Sequence, residues 1–371
     1  MSEADADVEG GRGLAAAAVD LVDRYRVPIG LVALVVLLRP LLAHPWLLDY
    51  GGVATTVLIW MLFVAAFNLL FGFTGLLSFG HAMFLGFGMY GAAIAVSVFS
   101  LPYLVGAAAG VGIAAAVGYG LGRLIVHKGE IYFAMLTLAS AEAIYFVVNR
   151  NPFGVTGGSN GISQNALPPW IETYRGQKSL VAFGASIDWY WVVAAVFLLS
   201  MLVLWQVLRS PFGRSLVAVR ENEDLARAMG VDTDRYKVAS FTVSGAFAAV
   251  AGALLEITNQ GAAIETFAAL TSGNAVLMAV LGGVNHFFGP LAGVFVWRFA
   301  EEYLTDFETL VLPLSEVPLV TVELAGVLSY WRFFLGALFV LVVIVSPKEG
   351  VWGAVLDAAA RVRDRLAEVR R

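Results

Sequence analysis

The chain has 371 residues, of which 59% are hydrophobic and 14% are charged, and its net charge is −5. Soluble domains carry roughly a quarter charged residues, so this composition predicts a multi-pass membrane protein. The absence of cysteine excludes disulfides, thiolate zinc sites and cysteine nucleophiles. The acidic balance gives no reason to expect a nucleic-acid partner.

Residues 1–26 are predicted to form a cytoplasmic lead. Apolar residues recur at helical spacing between Leu14 and Tyr25, which predicts a short helix lying on the membrane surface. The lead is acidic, unlike the basic start of a signal peptide, so the first span, at about 27–43, is expected to remain as an anchor.

Glycines interrupt the next hydrophobic stretch. The run NLLFGFTGLLSFGHAMFLGFGMYG, residues 68–91, holds six glycines together with Asn68, Thr74, Ser78 and His81. Backbone freed by glycine at bilayer depth must face protein or a polar cavity. The run therefore predicts an irregular element lining a substrate path, with glycines that serve only helix packing as the alternative.

Three further spans are predicted at about 84–99, 101–124 and 131–149. Glu142 falls near the middle of the last one, where a carboxylate is costly and is either functional or a paired structural group. Residues 150–188 are predicted to be an irregular outer loop. Its TGGSNG sequence lacks the Lys-Ser/Thr ending of a phosphate-binding loop, so ATP is not expected to bind there.

The longest charged run inside the chain is 209–237, RSPFGRSLVAVRENEDLARAMGVDTDRYK, between two apolar runs. Its basic excess predicts the cytoplasmic side. Ser210 and Asn222 are predicted to cap two short helices, with Pro211 opening the first and Gly230 ending the second. Four apolar residues on these helices are expected to fit a groove on a partner: Leu216, Val219, Leu225 and Met229.

A second interrupted region lies at 271–300. It is expected to form two tilted or half-length pieces that meet near 282–289, where Asn285 and His286 lie. Interruptions at corresponding places in two halves point to a transport path near the middle of the membrane. Residues 301–325 are acidic and fit an outer loop. Residues 347–371 predict an amphipathic tail helix that contacts either the membrane or a partner.

The sequence thus predicts an all-α, polytopic helical membrane protein with about ten membrane segments. The transmembrane domain is 27–346, and both termini are expected on the cytoplasmic side with every dense basic cluster. An enzyme would need a clustered catalytic set, whereas the four histidines are scattered and show no metal-ligand spacing.

Five blocks of the sequence resemble the permease subunits of branched-chain amino acid ABC importers, of the LivM type. They are NLLFGFTGLLSFGHAMFLGFGMYGA, GEIYFAMLTLA, TGGSNGI, SPFGRSLVAVRENEDLARAMGVDTDRYKVASFTVSGAFAAVAGAL and VLMAVLGGVNHFFGPLAG. The resemblance implies a second homologous permease subunit (LivH type), two cytoplasmic ABC ATPase subunits that bind ATP and Mg²⁺, and an external substrate-binding protein. It also implies a prokaryotic cell membrane and a chain that needs no cofactor and performs no covalent chemistry itself.

In such importers the loop matching 212–237 holds the coupling helix, which enters a groove on the ATPase. The resemblance therefore assigns ATPase coupling to Phe212, Gly213, Arg214, Arg220, Glu221, Asn222, Glu223, Asp224, Ala226, Arg227, Met229 and Gly230.

Polar positions in or beside the broken and central spans are the candidates for the substrate path: Asn68, Thr74, Ser78, His81, Thr137, Glu142, Asn285 and His286. Leucine, isoleucine and valine are the expected substrates. Urea and short amides, carried by the same kind of ABC importer, are one alternative for the substrate. An ion-coupled secondary transporter is another, because broken helices and buried carboxylates serve ion coupling equally well.

Overall fold

A computed structural model describes residues 27–42, 51–163, 170–174, 177–182, 185–306, 331–345 and 349–369. The predicted surface helix of the lead lies outside these ranges, as do residues 307–325 of the predicted acidic loop. Helices dominate the described ranges. They are α1 (Val27–Leu42), α2 (Gly51–Thr74), α3 (Ala82–Ser97), α4 (Tyr103–Ile125), α5 (Glu130–Arg150), α6 (Trp189–Arg209), α7 (Pro211–Glu221), α8 (Glu223–Ala228), α9 (Thr233–Asn259), α10 (Ala269–Gly282), α11 (Gly289–Asp306), α12 (Trp331–Val345) and α13 (Gly350–Val369).

Five of the described helices are long and apolar enough to cross a membrane: α2, α4, α5, α6 and α9. Shorter apolar helices accompany them, among them α1, α3 and α10. With 16 and 14 residues, α3 and α10 fall short of the roughly 20 that an upright crossing needs. The predicted polytopic helical membrane architecture is confirmed.

The centre of the helical body is α9, which packs against α2, α3 and α4. Glycines bring α3 and α9 to backbone contact. A Cβ at Gly88 of α3 would overlap the carbonyl oxygen of Ala249, and one at Gly252 of α9 would overlap that of Leu85. Small residues allow this close approach, which supplies the packing that holds helices together in lipid.

The helical body has two ends, which we name by what they carry. The charged end carries α7 and α8, between the last residue of α6 and the first of α9. The sheet end carries a three-stranded antiparallel sheet between α5 and α6, in the order β2 (Ile171–Tyr174), β3 (Gln177–Ala182) and β4 (Ala185–Asp188).

The predicted irregular character of 150–188 is therefore wrong for much of that loop. A two-residue strand, β1 (Ile162–Ser163), also pairs with β5 (Gly261–Ala262) beyond α9. Strands this short give almost no alternating pattern, and tertiary contacts stabilise them. The Lys178 ammonium of β3 donates hydrogen bonds to the carbonyls of Ile257 (2.7 Å) and Thr258 at the end of α9. Burial lowers the pKa of Lys178, and the charge of Glu256 acts in the opposite direction.

Side-chain contacts hold the first turn of α4 and the start of α6 in place at the sheet end. Tyr103 donates its hydroxyl to the carbonyl of Ala253 on α9. Asp188 caps α6 by accepting from the Tyr190 amide at 2.9 Å, and its other carboxylate oxygen pairs with Arg39 of α1 at 2.5 Å. One carboxylate thus fixes both the beginning of α6 and its position against α1.

Both predicted interruptions are confirmed. The first interruption, residues 75–81, separates α2 from α3 and begins at Gly75 with φ +81°. The second interruption, residues 283–288, separates α10 from α11 and begins at Gly283 with φ +108°. At both positions the left-handed backbone favours glycine.

Candidate coupling and translocation site

The charged segment forms two short helices, as predicted. Ser210 Oγ accepts from the Gly213 amide at 3.4 Å with Pro211 in the first turn, and Asn222 Oδ1 accepts from the Leu225 amide at 2.9 Å. The second helix ends before Gly230, whose φ is +89°. These caps satisfy amides that would otherwise lack partners at the helix starts.

The helix that follows the two short helices begins inside the charged run. Asp232 accepts from the Arg235 amide at 3.3 Å and starts α9 at Thr233, so the last residues of the charged run belong to a long helix. The cap works because its side chain reaches a free amide of the first turn. The end of the charged segment is therefore the first turn of α9, the central helix of the body.

A partly buried ion pair links α8 to α9. The Lys237 ammonium, whose side chain is 7% exposed, lies 2.6 Å from Glu223 Oε2. Arg227 donates to Glu223 Oε1 at 3.1 Å and to Thr233 Oγ1 at 2.9 Å. Burial alone would raise the pKa of Glu223, but the hydrogen bond and charge of Lys237, with help from Thr233 and Arg227, lower it below its ordinary value of 4.5.

The Glu223–Lys237 pair gives a pH prediction. Because the pKa of Glu223 is lowered in the folded protein, its stabilisation is present above pH 4.5 and is lost as the pH falls through the folded pKa. Thermal unfolding between pH 7 and pH 3 should show a lower midpoint for Glu223→Gln than for the unmodified chain, with the gap closing at low pH. Asp224→Asn is the control, since that side chain is 98% exposed; an equal loss there would contradict the assignment.

The two faces of α7 and α8 have different partners. Leu216 and Val219 are buried, and a Cβ at Gly213 would overlap the carbonyl oxygen of Leu208. The prediction that Leu216 and Val219 fit a partner groove is wrong, because the helix packs this face on its own chain. Leu225 and Met229 are 60% and 79% exposed and present apolar surface to the outside.

Of the remaining residues assigned to coupling, some pack against this chain and others are exposed. Phe212 stacks on Tyr236 at 5.4 Å between ring centroids, and Ala226 is buried. The outward side chains are those of Arg214, Glu221, Asn222, Asp224 and Arg227. The outward surface is therefore mixed in charge, with the apolar pair Leu225 and Met229 beside it.

Arg220 connects α7 to both interruptions. Its guanidinium donates to the carbonyl of Gly72 in the last turn of α2, and to Asn285 Oδ1 in the second interruption at 3.2 Å. It also pairs with Glu221 at 2.6 Å. A Cβ at Gly75 would lie 3.0 Å from Arg220 Cγ, so only glycine lets the side chain pass so closely. One side chain thus contacts α2 near its end, Gly75 of the first interruption and Asn285 of the second.

The first interruption extends from the charged end toward the middle of the helical body. At about 1.5 Å per residue, Ser244 lies about 16 Å along α9 from Thr233. Ser244 Oγ lies 3.1 Å from His81 Nε2, so α3 begins at that depth. The amide of Ala82 donates to Ser272 Oγ of α10 at 2.8 Å, and a Cβ at Gly80 would overlap the carbonyl oxygen of Thr137. The segment is therefore enclosed by α5, α9 and α10.

The structure brings together five of the predicted path residues: Asn68, Thr74, Ser78, His81 and Thr137 are all buried in or beside the first interruption. Thr74 Oγ1 lies 2.6 Å from Ser240 Oγ. Ser240, Ser244 and Ser272 belong to the same polar group and are absent from the predicted set. The spacing of Ser240 and Ser244, one helical turn apart in an apolar helix, was the signal that could have indicated them.

His81 occupies an aromatic enclosure. Its ring centroid lies 5.3–5.9 Å from those of Phe63, Phe67 and Phe84. Ser244 gives its hydroxyl hydrogen to the carbonyl of Ala66, so in its contact with His81 the ring donates from Nε2. Within the described ranges, His81 Nδ1, Ser78 Oγ and Asn68 Oδ1 are buried without a hydrogen-bond partner. Such groups call for a water, a ligand or another conformation.

The other three predicted path residues lie elsewhere. Glu142 is exposed on the outward face of α5. Asn285 is beside Arg220 at the charged end. His286 lines a cavity of about 620 Å³ between α1, α2, α11 and α13, where Trp352 of the tail helix stacks on Phe288 at 5.3 Å. The tail helix thus packs on its own chain at the second interruption.

The described ranges contain no group of three or more His, Cys, Asp or Glu side chains that could hold a metal ion. They combine a polytopic helical body, two interrupted helices and a rigid charged segment that contacts both interruptions. This combination defines a membrane transport permease. The family model "branched-chain amino acid transport system / permease component" matches residues 50–343, and the chain belongs to that family.

The individual relatives that the chain resembles are named as permeases of the same kind. The chain is 28% identical over 332 residues to the high-affinity branched-chain amino acid transport permease LivM of Salmonella typhimurium, covering 85% of this chain and 73% of the relative. It is 25% identical to the probable LivM of Methanocaldococcus jannaschii, covering 63% and 65%. It is also 28% identical to LivH of Salmonella typhimurium, covering 79% and 90%. No solved structure matches the chain significantly.

Proposed function

We propose that this chain is one of two permease subunits of an ATP-driven importer for branched-chain amino acids in a prokaryotic cell membrane. Two ABC ATPase subunits, which hold ATP and Mg²⁺, bind the outward face of α7 and α8 on the cytoplasmic side. The observation that carries this proposal is the contact of Arg220 with Gly72 at the end of α2, with the adjoining Gly75, and with Asn285 in the second interruption. It supplies a direct mechanical connection between a docking surface and the helices that must move.

The mechanism follows from the rigidity of the charged segment. The Glu223–Lys237 pair and the Phe212–Tyr236 stack prevent α7 and α8 from moving independently of α9. Closure of the ATPase pair therefore displaces the whole unit, and Arg220 carries the displacement to the end of α2 and to the second interruption. Alternating access then results from rearrangement of the interrupted helices, which end at glycines able to change backbone conformation.

The second permease subunit is proposed to cover α5. Large apolar side chains along this helix are exposed, including Ile131, Met135 and Phe146, and Glu142 is exposed among them. A carboxylate in a spanning helix is costly in lipid and belongs at a protein interface or a polar path. An external substrate-binding protein would then meet the sheet end, which lies opposite the ATPase surface.

The polar group around His81 supports an amino acid with an aliphatic side chain over urea. The unpartnered atoms of Asn68, Ser78 and His81 can bind polar groups, while the adjoining Phe63, Phe67 and Phe84 rings offer apolar surface. Urea has no apolar part to use that surface. The relatives' names, which specify branched-chain amino acid transport, point in the same direction.

The docking surface can be tested with the double variant Leu225→Asp, Met229→Asp. Both side chains are exposed, so the permease should fold normally while charge replaces the apolar contact. We expect capture of the ATPase subunits by the purified permease to fall by about 10- to 100-fold, as expected when a central apolar contact worth about 1.5–3 kcal/mol is lost. The measurement is co-purification, followed by ATP-dependent uptake of labelled leucine in proteoliposomes.

Val355→Asp is the comparison variant, because Val355 is apolar and 47% exposed on the tail helix. Loss of capture by that variant alone would place the ATPase contact on the tail and contradict the proposal. The same proteoliposomes separate the alternatives. Uptake of urea in place of leucine would overturn the substrate assignment, and uptake that follows an ion gradient without ATP would overturn the ATP-driven mechanism.

A further inference from the structure

A groove of about 790 Å³ lies between α4 and α9 at the charged end, away from Arg220 and from both interruptions. We call it the α4–α9 groove. Its polar lining includes Tyr119, Arg123, His127, Asp232, Asp234 and Arg235. No step of the transport mechanism above uses this groove.

The groove is divided by polarity along the helix axes. Charged side chains line the part near the helix ends, whereas Val238, Ala239 and Val243 line the deeper part. At about 1.5 Å per residue, Val243 lies about 15 Å along α9 from Thr233. That depth places the apolar wall among the hydrocarbon chains and the charged rim at the headgroup level.

The rim carries two arginines and two aspartates, but only two of these four charges pair with each other. Asp232 is occupied by Arg235, with an Nε to Oδ2 distance of 2.8 Å. Arg123 lies over the Tyr119 ring at 5.6 Å and donates to its hydroxyl at 3.2 Å, and among the described residues it has no carboxylate within ion-pair distance. Asp234, on the opposite side of the rim, likewise has no cation among these residues. Arg123 is thus a cation at the rim that contacts Tyr119 and has no carboxylate partner among the described residues.

We propose that the α4–α9 groove binds a phospholipid of the leaflet at the charged end, with its phosphate on Arg123 and an acyl chain along the Val238–Val243 wall. An arginine between spanning helices at this level can bind a lipid headgroup. A guanidinium matches a phosphate because it offers several donors in one plane. A soluble protein partner could cover the rim but could not fill the deeper wall, which lies within the bilayer.

The test uses the complete transporter, purified with its ATPase subunits and titrated with phosphatidylglycerol while bound lipid is counted by native mass spectrometry. Arg123→Gln is expected to lower the affinity of one lipid site about ten-fold, the loss of one charged hydrogen bond. Ala239→Trp, which fills the groove without changing any charge, is expected to abolish binding at that site.

Arg150→Gln is the matched control. Arg150 also lies over the ring of an aromatic residue four positions earlier, Phe146, at 5.3 Å, but it is at the opposite end of the body and lines no part of the groove. An equal loss of affinity in Arg150→Gln and Arg123→Gln would overturn the proposal. So would unchanged binding in Ala239→Trp, or lipid retained only after the ATPase subunits are removed, which would make the groove an ATPase contact.

Discussion

Arg220→Gln is expected to reduce ATP-dependent uptake by about 100-fold while the permease still captures its ATPase subunits. The guanidinium donates to Gly72 and to Asn285, and a charged hydrogen bond contributes about 1.5–3 kcal/mol. Glutamine is shorter and uncharged, so it cannot hold both partners together. The docking surface around Leu225 and Met229 is untouched by this change. ATP hydrolysis should therefore continue without transport.

The measurement is leucine uptake and ATP hydrolysis in the same proteoliposomes. Arg209→Gln is the matched control, since Arg209 has the same charge, lies at the same end and stacks over Trp205 at 4.6 Å, and among the described residues it forms no hydrogen bond or ion pair with either interruption. Normal uptake by Arg220→Gln would refute the role of Arg220. A parallel fall of uptake and ATPase capture would instead show that Arg220 serves docking.

Gly88→Leu is expected to have the largest effect on stability. A side chain at this position would overlap the Ala249 carbonyl, which is backbone and cannot turn aside as a side chain would. Overpacking of a core costs about 1–3 kcal/mol, and a clash with helix backbone exceeds that range. Because α3 contacts α9 along much of its length, separating the two helices also disturbs the polar group around His81 and Ser244.

We expect Gly88→Leu to give little folded protein and a clearly lower thermal midpoint in detergent. Gly112→Leu, in α4, is the control because no atom lies within 4 Å of a Cβ built there. Both changes add the same side chain to a helical glycine, so any effect of helix propensity or added hydrophobicity is shared. Equal midpoints for the two variants would show that the backbone contact between α3 and α9 is not limiting.

The predicted path residues lie in several separate places, and the sequence pattern could not predict which of them would lie together. Asn68, Ser78 and His81 were predictable as one group because they lie close together in the chain, within one glycine-rich run. Glu142 and His286 appeared equivalent to them, since each is a polar residue in an apolar stretch. Helix orientation separates them, because Glu142 turns away from the body and His286 lies under the tail helix.

The sequence by itself determined the membrane-spanning class, the two interruptions and the capped helices of the charged segment. These features depend on local chemistry: apolar length, glycine backbone freedom, and side chains that bond to nearby amides. Only the tertiary structure decided which face of α7 is buried, that Ser240 and Ser244 complete the polar group, and that Arg220 joins both interruptions. Gly72, Arg220 and Asn285 are far apart in the chain, and a contact of that kind arises from the packing of several helices, which no local pattern contains.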